Sequence, residues 1–175
     1  MLSLSRINLS ILLFLNLFLF SCGYNFLDRP TYFSPHWKTI YIPPFKNYTQ
    51  EPEIGEFLAY ELRHIFAQGR LLIPVSSEAE ADLVLKGEVL RVLLEPVSYE
   101  VFLVTRERKI LFEGRFELIE RKTGKKFYEN PRLTLFETYR IREDLTGSLE
   151  IGKVEALRSL AKDLAELIFQ EIFIR

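Results

Sequence analysis

Few side chains in this sequence could do covalent chemistry. There is one cysteine, Cys22, and there are two histidines, His36 and His64, far apart and beside no partner motif. A single cysteine makes no internal disulfide, and no Cys/His cluster has the spacing of a zinc site. No G-x-S-x-G elbow, Walker loop, dinucleotide fingerprint or H-E-x-x-H pair occurs, and neither histidine belongs to a nucleophile motif. Carboxylates are plentiful but fall mostly on helix outer faces, so choosing an acid–base pair among them would be arbitrary. These counts describe a non-enzyme without metal or cofactor. They leave a covalent question at Cys22 and a binding question at two groups of basic residues.

Arg106, Arg108 and Lys109 open a strand, and Arg121, Lys122, Lys125 and Lys126 surround a hairpin tip. One reading is a pair of solvated rims. The other is a site for a phosphorylated glycolipid, in which Arg and Lys meet phosphate and nearby apolar groups such as Tyr99, Phe102 and Phe112 meet acyl chains.

Cys22 closes the most apolar run of the chain. After a short start with one cation, Arg6, residues 7–20 are broken only by Asn8, Ser10 and Asn16. Fourteen helical residues span about 21 Å, short of a hydrocarbon core of about 30 Å, and the proportions are those of a secretory signal. Leu19-Phe20-Ser21-Cys22 has the form of a bacterial lipoprotein box. Its cysteine sulfur accepts a diacylglyceryl group, and small Ser21 opens the preceding bond to a peptidase. Phe20 is larger than is usual at its position. The alternative is a buried cysteine in an apolar helix; chain position, Leu19, Ser21 and Gly23 favour the lipid. Two or three acyl chains anchor firmly where one does not, and Gly23 stands where an inner-membrane retention signal would carry Asp, which points to the outer membrane. Loss of residues 1–21 removes Arg6 and no acid, so the net charge of −1 becomes about −2.

The elements that must position these residues follow from patterning. At 175 residues, 48% apolar and 27% charged, the chain is long enough for one well-buried domain and is not disordered. Its balanced charge advertises no nucleic-acid partner. Residues 22–37 read as an extended tether along the surface. Ile40 and Ile42 alternate with polar neighbours as a strand that Pro43-Pro44 stops; Asn47-Tyr48-Thr49 reads as turn and cap chemistry. Ile54, Phe57, Leu58, Leu62, Ile65 and Phe66 form the stripe of a first helix, with Gly69 as its C-terminal cap and His64 in solvent.

A long strand follows over 81–97. Its far end, Leu90 to Leu94, is apolar on both faces, either a bulge or doubly buried segment, or an exposed patch. Residues 99–120 alternate again, with Ile110, Phe112, Phe116 and Leu118 on one face. Gly124 turns a hairpin into a strand whose Pro131 argues for an edge or a bulge. Residues 149–173 form a last amphipathic helix. The order β-α-β-β-β-α predicts an α/β (α+β) two-layer sandwich: a four-stranded mixed sheet, first two strands parallel, with two helices on one face. The expected division is a signal peptide over 1–21, the tether over 22–37 and one domain over 38–175.

The segments "SCGYNF", "IYIPPFKNYTQEPEIGEFLAYEL", "ADLVLKGEV", "FELIERKTGKKFYEN" and "EALRSLAKDLAELI", in that order, resemble the LptE family. The start Cys22-Gly23-Tyr24-x-Phe26 and the stretch Phe45 to Glu53 are its more specific parts. The resemblance implies two helices on a four-stranded sheet and an outer-membrane lipoprotein of lipopolysaccharide export. It implies a plug and assembly aid within the LptD β-barrel, direct lipopolysaccharide binding, and an apolar, aromatic outer sheet face turned to the barrel lumen. Arg106, Arg108 and Lys109 are then the expected lipopolysaccharide contacts. A different outer-membrane lipoprotein, scaffolding or activating envelope machinery, is the alternative; a periplasmic hydrolase is a further one.

Overall fold

In chain order the computed structural model, which describes residues 33–99, 105–140 and 151–173, runs β1 (Thr39–Tyr41), β2 (Lys46–Asn47), α1 (Ile54–Gly69), β3 (Ile73–Val75), a 3-10 turn (Glu78–Glu80), β4 (Leu83–Tyr99), β5 (Thr105–Glu120), β6 (Lys126–Arg140) and α2 (Ile151–Phe173). The sheet order is β3-β1-β4-β5-β6, with β2 also paired to β4. β1 is parallel to β4, Ile40 opposite Leu83, as a β-α-β crossover requires. β4, β5 and β6 form the antiparallel meander.

The four strands read from the sequence are present and adjacent as expected, but the sheet has six. The additions, β2 and β3, are two and three residues long, too short for a two-residue period to show. Pro43 and Pro44 explain β2. Without N–H groups they interrupt the ladder on one edge of β4, which resumes at Lys46, opposite Glu88. The turn after it is held by Asn47. Its side-chain oxygen accepts from the Thr49 N–H at 2.9 Å, and its amide donates to the Glu51 carbonyl at 2.6 Å.

Period-2 burial sets the two faces of the sheet. Ile110, Phe112, Phe116 and Leu118 are at most 2% exposed, and across from them Leu85 and Val89 are fully buried. The helices cover this face with Leu58, Leu62 and Phe66 from α1 and Leu157, Leu160, Leu164 and Ile168 from α2, joined in one cluster. Each such side chain contributes about 1.5–3 kcal/mol by leaving water. The helices run side by side in the same direction: Arg158 lies over the Phe57 ring at 4.8 Å, and Phe66 meets Phe169 at 5.1 Å.

Three local expectations are refined. Gly69 is the last helical residue, and Arg70 takes the left-handed cap with φ 54°. Gly69 is needed for space, since a Cβ there would meet Phe169 Cζ at 2.8 Å. Phe33 and Trp37, from the stretch expected along the surface, are buried in the core. In β4 a register shift leaves Leu90 without an opposite residue; it is 43% exposed and Leu93 38%. That segment is thus both bulged and exposed, and it is not doubly buried. Pro131 satisfies both halves of its expectation. β6 is an edge strand, and its register shifts where Asn130 and Leu133 flank Pro131. Gly124 has φ 70° in the β5–β6 turn. Thr146 and Ser148, which the sequence offers as N-caps for α2, lie outside the described residues.

Candidate functional site

Two helices cover one sheet face and leave the other open. Its composition differs from the apolar, aromatic surface expected. Over the half nearest the β5–β6 turn it is a lattice of cross-strand ion pairs. Arg115 donates to one Glu88 oxygen through Nε at 3.0 Å and Nη2 at 2.7 Å. Lys126 reaches Glu117 at 2.7 Å and Glu129 at 3.3 Å, and these carboxylates hold its pKa above the ordinary lysine value, Glu117 most. Arg91 stands 3.6 Å from Glu113. Opposite charges on adjacent strands stabilise a sheet modestly, by about 0.2–1 kcal/mol a pair. The lattice keeps an open face wet and discourages non-specific stacking.

Beside this lattice Pro43, Pro44, Lys46, Lys86, Arg115 and Lys126 contribute to a shallow trough of about 490 Å³. Glu88, Glu117 and Glu129 also line it, so its cations and anions nearly balance.

Farther along, charge gives way to a row in register, Leu93 opposite Leu111 and Leu111 opposite Phe136. Phe136 is 58% exposed. Lys109 lies 4.2 Å over its ring, a cation–π contact that buries the lysine stem and keeps the charge at the surface. The open face thus has an apolar stripe with a border of mixed charge, in which exposed Glu95 stands opposite Lys109 and, beyond them, Arg140 donates to Glu107 at 3.2 Å.

The sequence-predicted residues are divided among these regions. Lys109 faces outward beside Phe136. Its neighbour Arg108 is opposite Tyr139, which is buried toward the helices, so Arg108 is on the other face. Arg106 belongs to β5, but its side chain lies outside the described residues, as do Phe102 and Cys22, the residue expected to carry the lipid. The second basic group, Arg121 to Lys126, is at the other end of β5, about 40–50 Å away at 3.3 Å per residue. The two groups cannot share one headgroup.

At that second end the chain entering the domain is clipped to the hairpin. Trp37 Nε1 donates to Glu120 at 3.0 Å, and the Trp37 and Phe127 rings meet at 4.2 Å. The Thr123 hydroxyl donates to the same carboxylate, and with Trp37 it holds the Glu120 pKa below the ordinary range. Trp37 and Glu120 are 83 residues apart, so no local pattern announces this contact. No three His, Cys, Asp or Glu side chains among the described residues are grouped to hold a metal. No helix among them is long and apolar enough to cross a membrane.

Solved structures share this α+β sandwich. A Caulobacter crescentus protein matches with TM-score 0.52 at 16% identity, over 74% of this chain and 88% of its own. A minor lipoprotein from Acinetobacter baumannii matches with TM-score 0.51 at 16% identity, over 79% and 92%. Lipoprotein B from Nitrosomonas europaea gives 0.51 at 10% identity, over 78% and 83%. At these identities the likeness is one of fold. No curated protein matches the sequence. Residues 37–173 match the LptE family, described as lipopolysaccharide-assembly, and the chain belongs to that non-enzymatic lipoprotein family.

Proposed function

We propose that this chain is an outer-membrane lipoprotein, anchored on the periplasmic side by diacylglyceryl and N-acyl chains on Cys22. It plugs the LptD β-barrel, assists the assembly of that barrel and meets lipopolysaccharide on its way to the cell surface. The observation that carries the reading is the family match over residues 37–173. The shape supports it. A sheet about 50 Å long is comparable to a bilayer of about 40–45 Å with its headgroups, so a domain standing on one end could fill a barrel from rim to rim. The open face suits a wet lumen that has some apolar wall. Lipopolysaccharide contact belongs to the end of β5 that carries Arg106, Arg108 and Lys109. Because Arg108 and Lys109 take opposite faces of the sheet, a ligand on the open face would meet Lys109, and Arg108 would serve only a ligand that reaches the other face.

The test is gentle detergent extraction of native membranes with this protein as bait. The expected result is a large, heat-modifiable β-barrel in near-stoichiometric amount. Recovery alone, or with peptidoglycan enzymes, would overturn the plug and favour the scaffold. For the ligand, charge reversal of Arg106, Arg108 and Lys109 together is expected to abolish retention of lipopolysaccharide; unchanged retention would remove these residues from the site.

A further inference from the structure

The hairpin tip has four cations in six residues, Arg-Lys-Thr-Gly-Lys-Lys over 121–126, and the proposed function gives them no task. Their surroundings decide what they can bind. The neighbouring carboxylates are engaged within the fold: Asp82 accepts from the Lys38 and Thr39 N–H groups at 2.8 and 3.1 Å, and Glu120 from Trp37 and Thr123, while Lys122 stays within electrostatic reach of both and Lys125 of Glu120. Glu78 reaches Lys86 at 3.7 Å. Glu80 is exposed on the 3-10 turn, one residue before Ala81, whose carbonyl accepts from Arg121 Nε at 2.6 Å. Lys122 and Lys125 are left exposed at the point of the turn, with Lys125 Nζ 5.3 Å from the Phe127 ring.

The Phe127 ring is also where the incoming chain is fastened, through Trp37. Phe33 meets Trp37 at 5.5 Å and Phe173, near the end of α2, at 5.3 Å. The described chain therefore begins at the same end of the molecule as the basic tip. Cys22 precedes Phe33 by eleven residues, so a lipid on Cys22 holds that end within about 40 Å of the bilayer. A tether this short keeps the tip at high effective concentration near the headgroups. Lysines held near an anionic surface gain attraction within a Debye length, too weak to recruit a protein alone but enough to orient a tethered one.

We propose that, before the domain enters the barrel, the β5–β6 tip docks through Lys122 and Lys125 on anionic phospholipid headgroups of the leaflet that carries the anchor, and so stands the domain on this end. The proposal rests on lipidation of Cys22, and its test reads the two separately. Full-length lipidated protein is reconstituted in phosphatidylcholine vesicles with or without about 30% phosphatidylglycerol. Flotation reads the anchor, and amine acylation followed by mass spectrometry reads each lysine. The expected result is flotation in both lipids. Acylation of Lys122 and Lys125 should be slower by about threefold or more in the anionic vesicles. Lys162, exposed on α2, should be unchanged, and about 0.5 M salt should erase the difference. Flotation in both lipids with equal reactivity at the tip would overturn the docking alone. Flotation in neither would overturn the anchor and the docking with it. Flotation only in anionic vesicles would overturn the anchor and, with it, a docking that depends on a tether.

Discussion

Asp82 shows how much one side chain can hold. Its carboxylate accepts from the Lys38 and Thr39 N–H groups, its own N–H donates to the Thr39 hydroxyl at 2.9 Å, and its carbonyl accepts from the Arg121 N–H at 3.0 Å. One residue thus ties the start of β1 to the start of β4 and to the hairpin. Asp82→Ala strands two N–H groups and should cost about 2 kcal/mol in urea denaturation. The Lys38 N–H, with help from Thr39, holds the Asp82 pKa below its ordinary 3.8 against the opposing effect of burial. This stabilisation is whole above pH 3.8 and lost as the pH falls through the lower folded value, so the cost of Asp82→Ala should shrink in acid. Glu137 has the opposite sign. Burial raises its pKa from 4.5, and Asp163 on α2 adds to the rise. The charged form opposes folding, so stability falls as the pH rises from 4.5 through the folded value. Glu137→Gln should raise the melting temperature at pH 7 and remove that fall; an unchanged profile would show that the carboxyl is effectively in water. Neither role was legible in the sequence, because Asp82 and Glu137 take their character from partners that the fold brings in from distant positions.

At the scale of elements, the least forgiving contact is between β4 and the arm that precedes β2. A Cβ on Gly87 would lie 1.6 Å from Phe45 Cε1: the ring, only 4% exposed, occupies the space that a side chain on β4 would need. Gly87→Ala must displace the ring and should cost about 3 kcal/mol, the upper range for overfilling a core. Phe45→Ala also destabilises, by vacating that space. In the double variant the costs should fall well short of additive, because removing the ring removes the clash. Additive costs in a double-mutant cycle would mean that the ring does not rest on Gly87. A lone glycine inside a strand pattern is a signal for close backbone approach, but the sequence does not say what approaches. The long elements were legible because alternation over β5 and a helical stripe over α2 persist for many residues. β2 and β3 were not, and the Leu90 bulge was ambiguous, because one inserted residue looks like a change of face until the opposite strand fixes the register.

At the scale of the molecule, the open face poses a question that composition could not answer. The strands carry nearly equal numbers of cations and anions there, and only the register shows that they neutralise one another across β4, β5 and β6 while Leu93, Leu111 and Phe136 fall into one row. The pairs are exposed and individually weak, so their removal should change little in stability or partnership. The row is different. Leu93 and Phe136 are 38% and 58% exposed in the isolated chain, so covering them gains apolar burial for any partner at little cost to the fold. Leu93→Asp with Phe136→Asp should leave the melting temperature within about 2 °C, since exposed substitutions rarely exceed ±0.5 kcal/mol. The same variant should sharply reduce recovery of the proposed barrel partner from native membranes. Arg115→Gln with Glu88→Gln, which dissolves one ion pair without changing the apolar row, should leave recovery intact. If the two variants lose the partner equally, the contact is spread across the whole face and follows its shape. If only the row variant loses it, the barrel grips the domain beside Lys109, at the end of β5 opposite the hairpin tip, so that cargo contact and partner contact would adjoin.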